Sequence, residues 1–198
     1  MKIIGITGGI GAGKSSVLNY IQKNYNARVI MADQVAHMLE EPGQSCYYSI
    51  VEEFGSNILN ADMTINRQRL AHIVFEDEKK RLKLNAIVHP KVKEYIVGEI
   101  KREREKGKLS FFIIEAALLL EDRYDLICDE VWYIYAHADI RRQRLKMARG
   151  YSDDKIDYIM KSQLTEEDFR KKCTVVIDNN SKEYDTQIQI DEALREEH

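Results

Sequence analysis

The chain has 198 residues, of which 44% are hydrophobic and 32% charged, with a formal net charge of −3. That length can bury a large core without staples and suits one compact domain over residues 1–198, with room for an inserted subdomain. The charge balance excludes partners that demand a strongly basic surface, so neither nucleic acid nor a membrane surface is expected. The three cysteines, Cys46, Cys128 and Cys173, are odd in number and form no C-x-x-C pair. They fit a reducing, cytoplasmic setting and inert, partly buried thiols. The opening apolar run is short and glycine-broken, unlike a signal peptide, and the longest one, 109–120, carries Glu115 and is too short to span a bilayer.

Residues 2–7 read Lys-Ile-Ile-Gly-Ile-Thr, an apolar run that predicts a buried strand. Residues 8–15 follow as Gly-Gly-Ile-Gly-Ala-Gly-Lys-Ser and match G-x-x-x-x-G-K-[ST], the phosphate-binding P-loop. Its four fixed positions recur by chance in fewer than about one chain of this length in a hundred. Glycines let such a loop curl close to a polyphosphate, so that successive N–H groups point inward as an anion nest. Lys14 would neutralise the β- and γ-phosphates of ATP or GTP, and the Ser15 hydroxyl would hold Mg²⁺. Residues 15–23 continue as a helix with Val17, Leu18 and Ile21 on one face, so strand, loop and helix come in the order the motif requires.

A second strand is predicted over 27–32, followed at once by Asp33. Residues 40–106 contain no convincing strand. Four apolar stripes run through them: Tyr47, Tyr48, Val51 and Phe54; Leu70, Ile73 and Val74; Leu82, Leu84, Ile87 and Val88; Val92, Tyr95, Ile96 and Ile100. Helical spacing predicts an inserted helical subdomain whose stripes are core. Residues 101–108 mix both signs of charge and read as a solvated helix end with Gly107 as its C-cap. Strands over 110–115, 130–136 and 174–178 complete a set of five. Their alternation with helical segments argues a parallel sheet wrapped by helices.

In such a sheet ligands bind outside the carboxyl ends of the strands, and polar groups collect there. Asp33 could accept a proton from an attacking hydroxyl, or it could N-cap the helix that starts near Gln34. Glu115 ends the third strand, where it could serve the water shell of a metal or form a structural ion pair. Asp139 reads as a helix N-cap. Arg141, Arg142, Arg144 and Arg149 could close over phosphates, because guanidinium matches phosphate oxygens, or could be solvated surface. A helix end between Arg144 and Arg149 would free Arg149 to swing, with Gly150 as hinge.

Taken together, these residues resemble the dephospho-coenzyme A kinase family along nearly the whole chain. Ile4 through Ser15 look like that family's start, and Ala32-Asp33 with Val35-Ala-His37 is similar to its second motif. Arg67, Leu70 and Ile73-Val-Phe75 match a further block, as do Leu84-Asn-Ala-Ile-Val-His-Pro90, Leu118-Leu-Leu-Glu121, Gln163 and Val176-Ile-Asp-Asn179. The P-loop is shared with many families; the His-Pro and Val-Ile-Asp-Asn blocks narrow the resemblance.

The resemblance implies a P-loop kinase-like α/β fold: a three-layer sandwich with a five-stranded parallel sheet, the helical insertion 40–106 and a small lid over roughly 141–163. It implies that ATP, with Mg²⁺, phosphorylates the ribose 3′-hydroxyl of dephospho-coenzyme A, the last step of coenzyme A biosynthesis. Gly11, Ala12, Gly13, Lys14, Ser15 and Ser16 would cradle the phosphates, with Ser15 and Glu115 toward the metal. Asp33 would be the base, and Arg144 and Arg149 would reach ATP from the lid. Arg67 and His89 would lie on the acceptor side, although a histidine before Pro90 also suits a buried helix cap. The family's pattern is broken at Met31, Ala117, Gly150 and Ser181, which leaves Lys14, Ser15 and Asp33 in place. Two rival expectations are a nucleoside- or nucleotide-type kinase with another acceptor, and a nucleotide-binding module without catalysis.

Overall fold

All five predicted strands form, within a residue or so of their expected bounds: β1 (Lys2–Thr7), β2 (Ala27–Met31), β3 (Phe111–Glu115), β4 (Glu130–Tyr135) and β5 (Val175–Asp178). They make one sheet in the order β2-β3-β1-β4-β5 in a computed structural model that describes residues 1–195. β1 pairs in parallel with β3 on one side, Ile4 opposite Ile113, and with β4 on the other, Ile6 opposite Trp132. β4 pairs in parallel with β5. The loop after β1 therefore leaves the sheet where its order reverses, the place at which open α/β sheets bind ligands.

The chain divides into two compact units, one of residues 1–29 with 106 onward and one of residues 30–105. In the first, side chains alternate across the strands with period two. Ile4, Ile6, Ile113, Trp132, Ile134 and Ile177 face one way and pack with Val17, Leu18 and Ile21 of α1 (Lys14–Asn24) and with Ile190 of α9 (Glu183–Ala193). Asp191 of α9 ties the two helices together by accepting from the hydroxyls of Tyr20 at 2.8 Å and Tyr25 at 2.5 Å. On the opposite face Tyr133 stacks on Phe169 of α8 (Glu166–Lys172), ring centres 4.6 Å apart. Both faces are thus covered, giving the expected three layers. α6 (Ala138–Arg149) and α7 (Asp153–Lys161) complete this unit.

The second unit is helical: α2 (Ala32–Leu39), α3 (Tyr47–Phe54), α4 (Arg67–Glu76) and α5 (Glu78–Lys106). One isolated antiparallel bridge joins Leu59 to Ile65. Two details of the expected stripes change. Tyr48 and Leu82 are exposed, whereas Ile50 is fully buried beside Tyr47. Tyr47 and Ile50 share a face at a spacing of i, i+3, and Tyr48 is turned away by one residue's rotation. The third and fourth stripes form a single helix, with Pro90 inside α5. His89 is therefore no cap before Pro90. An interior proline costs a helix about 3 kcal/mol, and the buried row Val88, Val92, Ile96 and Ile100 on both sides of it offsets that cost. The same row carries on through Glu99 and Glu103, which are both buried, Glu103 within the charged run 101–108 that read as solvated. Gly107 follows α5 with φ 63°, as its reading as a cap requires.

Candidate active site

The glycine loop ends in Gly13, the N-cap of α1, at φ 90°. A Cβ there would lie 2.2 Å from Asn179 Nδ2, so backbone and space both demand glycine. The first N–H groups of α1 have no partner inside the helix and carry the positive end of its dipole. Lys14 turns back over the loop: its Nζ donates to Gly8 O at 2.9 Å and lies 3.5 Å from Glu115 Oε1. These two side chains are 16% and 9% exposed. A carboxylate that buried needs a cation, and the P-loop lysine stands beside it as one. Ser15 stands exposed in the first turn of α1, and Ser16 Oγ donates to Gly13 O at 2.7 Å.

The loop is backed by α6, the residues after α7 and the end of β5. Ala12 O accepts from Asn179 Nδ2 at 2.8 Å and from Arg144 at 3.2 Å. The other arm of Arg144 donates to Asn179 O at 2.8 Å, and Asn179 Oδ1 accepts from the Thr186 hydroxyl at 3.0 Å. Arg141 Nε donates to Ile10 O at 2.8 Å, and Gln163 Oε1 accepts from Ile10 N–H at 3.1 Å and from Arg141 at 2.9 Å. Burial pulls the Arg141 guanidinium below the usual arginine pKa, with Tyr133 opposing. Sequence reasoning assigned no site role to Asn179 or Gln163 and preferred Arg144 and Arg149 over Arg141. The signal was present in the motif blocks that contain Asn179 and Gln163, but only folding shows what their amides touch.

Several expected placements change. α6 runs unbroken to Arg149, so no helix end separates Arg144 from Arg149, and Gly150 is the C-cap at φ 62°. A leucine at 145 buried in the middle of α6 keeps the helix packed through the stretch expected to break. Arg149 lies over the ring of Tyr151, 5.9 Å from its centre, rather than against the loop. Its hydrogen bond draws the Tyr151 phenol below the usual tyrosine pKa, and Lys155 adds to the effect. Arg142 pairs with Asp153 at 2.8 Å and with Asp157, and Lys146 pairs with Asp153 at 2.8 Å, so α6 and α7 are cross-linked by charge. Asp139 is not the N-cap; α6 starts two residues earlier than that reading requires, His137 takes the cap position, and Asp139 falls in the first turn, where a carboxylate still suits the helix dipole.

Asp33, Arg67 and His89 belong to the second unit. α2 begins at Ala32, so Asp33 sits exposed in its first turn and Met31, not Asp33, is the N-cap. Arg67 opens α4 after Asn66, whose side chain caps the helix by accepting from Arg69 N–H at 3.0 Å. The Arg67 guanidinium lies 3.9 Å from Glu40 and 3.6 Å from Glu41, and donates to His37 O at 3.4 Å. These acids, Thr64, Ile65 and Arg67 line a cavity of about 350 Å³. Burial raises the Glu40 pKa, opposed by His37 and Arg67. His89 is half-buried on α5.

The family model described as "Dephospho-CoA kinase" matches residues 2–185. A protein named "Dephospho-CoA kinase" from Symbiobacterium thermophilum is 34% identical over 195 residues, covering 98% of this chain and 81% of its own length. Among solved structures, TT1252 from Thermus thermophilus superposes with a TM-score of 0.80 at 26% identity, covering 98% of this chain and 95% of the other. The dephospho-CoA kinase from Campylobacter jejuni superposes with a TM-score of 0.72, covering 98% and 96%; at 23% identity that likeness concerns the fold. By its sequence match along almost the whole chain, this protein belongs to the dephospho-CoA kinase family.

Proposed function

We propose that this chain transfers the γ-phosphoryl group of ATP to the ribose 3′-hydroxyl of dephospho-coenzyme A, giving coenzyme A and ADP in the cytoplasm, with no nucleic-acid partner. The observation that carries the reading is Lys14, folded back onto Gly8 O and Glu115 at the mouth of a glycine loop, in a chain of this family. Residues Gly11 to Ser16 cradle the phosphates, with the N–H groups of Gly11, Gly13, Lys14 and Ser15 offered to them, and Lys14 adds a fixed charge beside them. The exposed Ser15 hydroxyl is a hard oxygen ligand of the kind Mg²⁺ takes together with substrate phosphates, and Glu115 lies behind Lys14 on the same side of the loop. Bound there, Mg²⁺ would neutralise phosphate charge.

Asp33 takes the proton from the acceptor hydroxyl, for which its exposure in the first turn of α2 leaves it available. Arg144 holds the loop and faces the phosphates, and Arg149 joins them from a lid over 141–163 whose closure excludes water. The helical insertion 40–106 covers the acceptor, with Arg67 and His89 on its side. The test is ADP release with dephospho-coenzyme A against nucleosides and nucleoside monophosphates. Turnover confined to dephospho-coenzyme A supports the reading; turnover only on a nucleoside monophosphate moves the chain to another acceptor. Asp33→Asn is expected to cut kcat by on the order of 10²- to 10⁴-fold while ATP affinity stays within about twofold. Wild-type turnover in that variant removes Asp33 from the mechanism.

A further inference from the structure

We infer that Gln163 is a positioning residue for the phosphate loop: together with Arg141 it clamps both backbone polar groups of Ile10 and so sets the shape that nucleotide meets. Three hydrogen bonds close a ring. Ile10 N–H donates to Gln163 Oε1 at 3.1 Å, Arg141 donates to the same oxygen at 2.9 Å, and Arg141 Nε donates to Ile10 O at 2.8 Å. A loop residue with both its N–H and its C=O held has little freedom left in φ and ψ. The Ile10 N–H is turned toward Gln163 and those of Ala12 and Ser16 donate to Gly9 O and Gly13 O, each at 3.1 Å, which leaves the N–H groups of Gly11, Gly13, Lys14 and Ser15 to line the nest.

Two further observations fit a built clamp. Gly9 is not a fixed position of the P-loop pattern, yet a Cβ on it would lie 2.2 Å from the Arg141 guanidinium. Any side chain at position 9 would thus push the Arg141 guanidinium off its seat in the ring. Second, the acceptor in the ring is a neutral amide oxygen. It holds Arg141 in place without neutralising the charge, and a positive charge fixed beside a polyphosphate is useful where a carboxylate there would cancel it. Gln163 lies just beyond α7, whose first turn is tied to α6 through Asp153. The loop's shape is in this way linked to the seating of α7.

The inference rests on the proposed reading that this loop binds ATP, so ADP affinity of the full chain is measured by calorimetry apart from turnover, with amide exchange of Ile10 followed by NMR. Gln163→Met is expected to weaken ADP about tenfold with the melting temperature within about 2 °C of wild type, and to speed Ile10 exchange about a hundredfold. Gln163→Glu keeps Ile10 protected, because its oxygen still accepts, yet weakens ADP by charge. Arg141→Met combined with Gln163→Met binds ADP no more weakly than Arg141→Met alone, within about twofold, because both act through one ring. The clamp is overturned by Gln163→Met binding ADP as wild type does, by losses that add in the double variant, or by a wild-type Ile10 amide that exchanges freely. If Gln163→Met fails to fold, Gln163→Glu and wild-type exchange decide. Wild-type protein that binds no ADP refutes the proposed function, and the exchange rates still judge the clamp.

Discussion

The phosphate loop and the residues proposed for the acceptor side are held in opposite ways. Around the loop, the carbonyls of Gly8, Ile10, Ala12 and Gly13 all accept from side chains, namely Lys14, Arg141, Arg144 with Asn179, and Ser16. In the second unit Asp33 is exposed, His89 is half-buried and Arg67, itself half-exposed, has only long partners, His37 O at 3.4 Å and Glu41 and Glu40 at 3.6 and 3.9 Å. The loop is preorganised for a ligand of fixed shape, since dipoles set in advance cost no reorganisation when charge develops. Asp33, Arg67 and His89 keep their polar groups nearer water, as the proposed role against a large, flexible acceptor asks.

The largest effect that can break this contrast is at Lys14. Lys14→Met is expected to lower kcat/KM for ATP by on the order of 10³-fold, read from ADP release. A loss below about tenfold would mean that preorganisation here does not serve catalysis. Next is Asn179→Ala. Asn179 is 6% exposed and bonds both Ala12 O and Thr186. Leaving those partners unmatched is expected to cost about 1–3 kcal/mol and to lower the melting temperature by about 2–10 °C. An unchanged melting curve would show that Arg144 alone suffices to hold Ala12 O.

A pH series probes the sheet that carries the loop. Burial pushes the phenols of Tyr124 and Tyr133 up from 10.0 to about 12. The folded state therefore favours the neutral form. Its contribution is whole below pH 10 and is lost as pH rises through about 12. Tyr133→Phe is expected to flatten the fall in that window by about 1.4 kcal/mol per pH unit, measured by urea unfolding at pH 8 and pH 11. An unaltered slope would show that Tyr133 ionises as freely as in the unfolded chain. The smallest stability effect belongs to Arg67→Ala. Its side chain is 49% exposed, and its ion pairs are screened, so stability should change by less than about 0.5 kcal/mol. KM for dephospho-coenzyme A should rise about tenfold if this arginine reads the acceptor. A large drop in melting temperature with KM unchanged would make it structural and erase the contrast.

Local order was legible in the chain. The apolar run 2–7, the glycine loop and the helix behind it form as their spacing requires, and Gly107 ends α5. What was misread depends on register or on long-range packing. Pro90 and the charges at Glu99 and Glu103 argue against a buried continuous helix when taken singly, but the apolar row of α5 carries through them. Arg149 and Gly150 read as a hinge, whereas buried Leu145 keeps α6 whole up to its cap.

Nearest-neighbour chemistry, in which a glycine permits a turn and periodicity selects strand or helix, is written along the chain, and with it the phosphate-binding character of residues 8–15. Which side chains close around that loop is not. Arg141, Gln163 and Asn179 stand far from it in sequence, and their amides and guanidinium have several possible partners until the sheet order brings β4, β5 and their helices beside β1. Hydrogen bonds are short and directional, so an error of one helical turn would reassign every one of them.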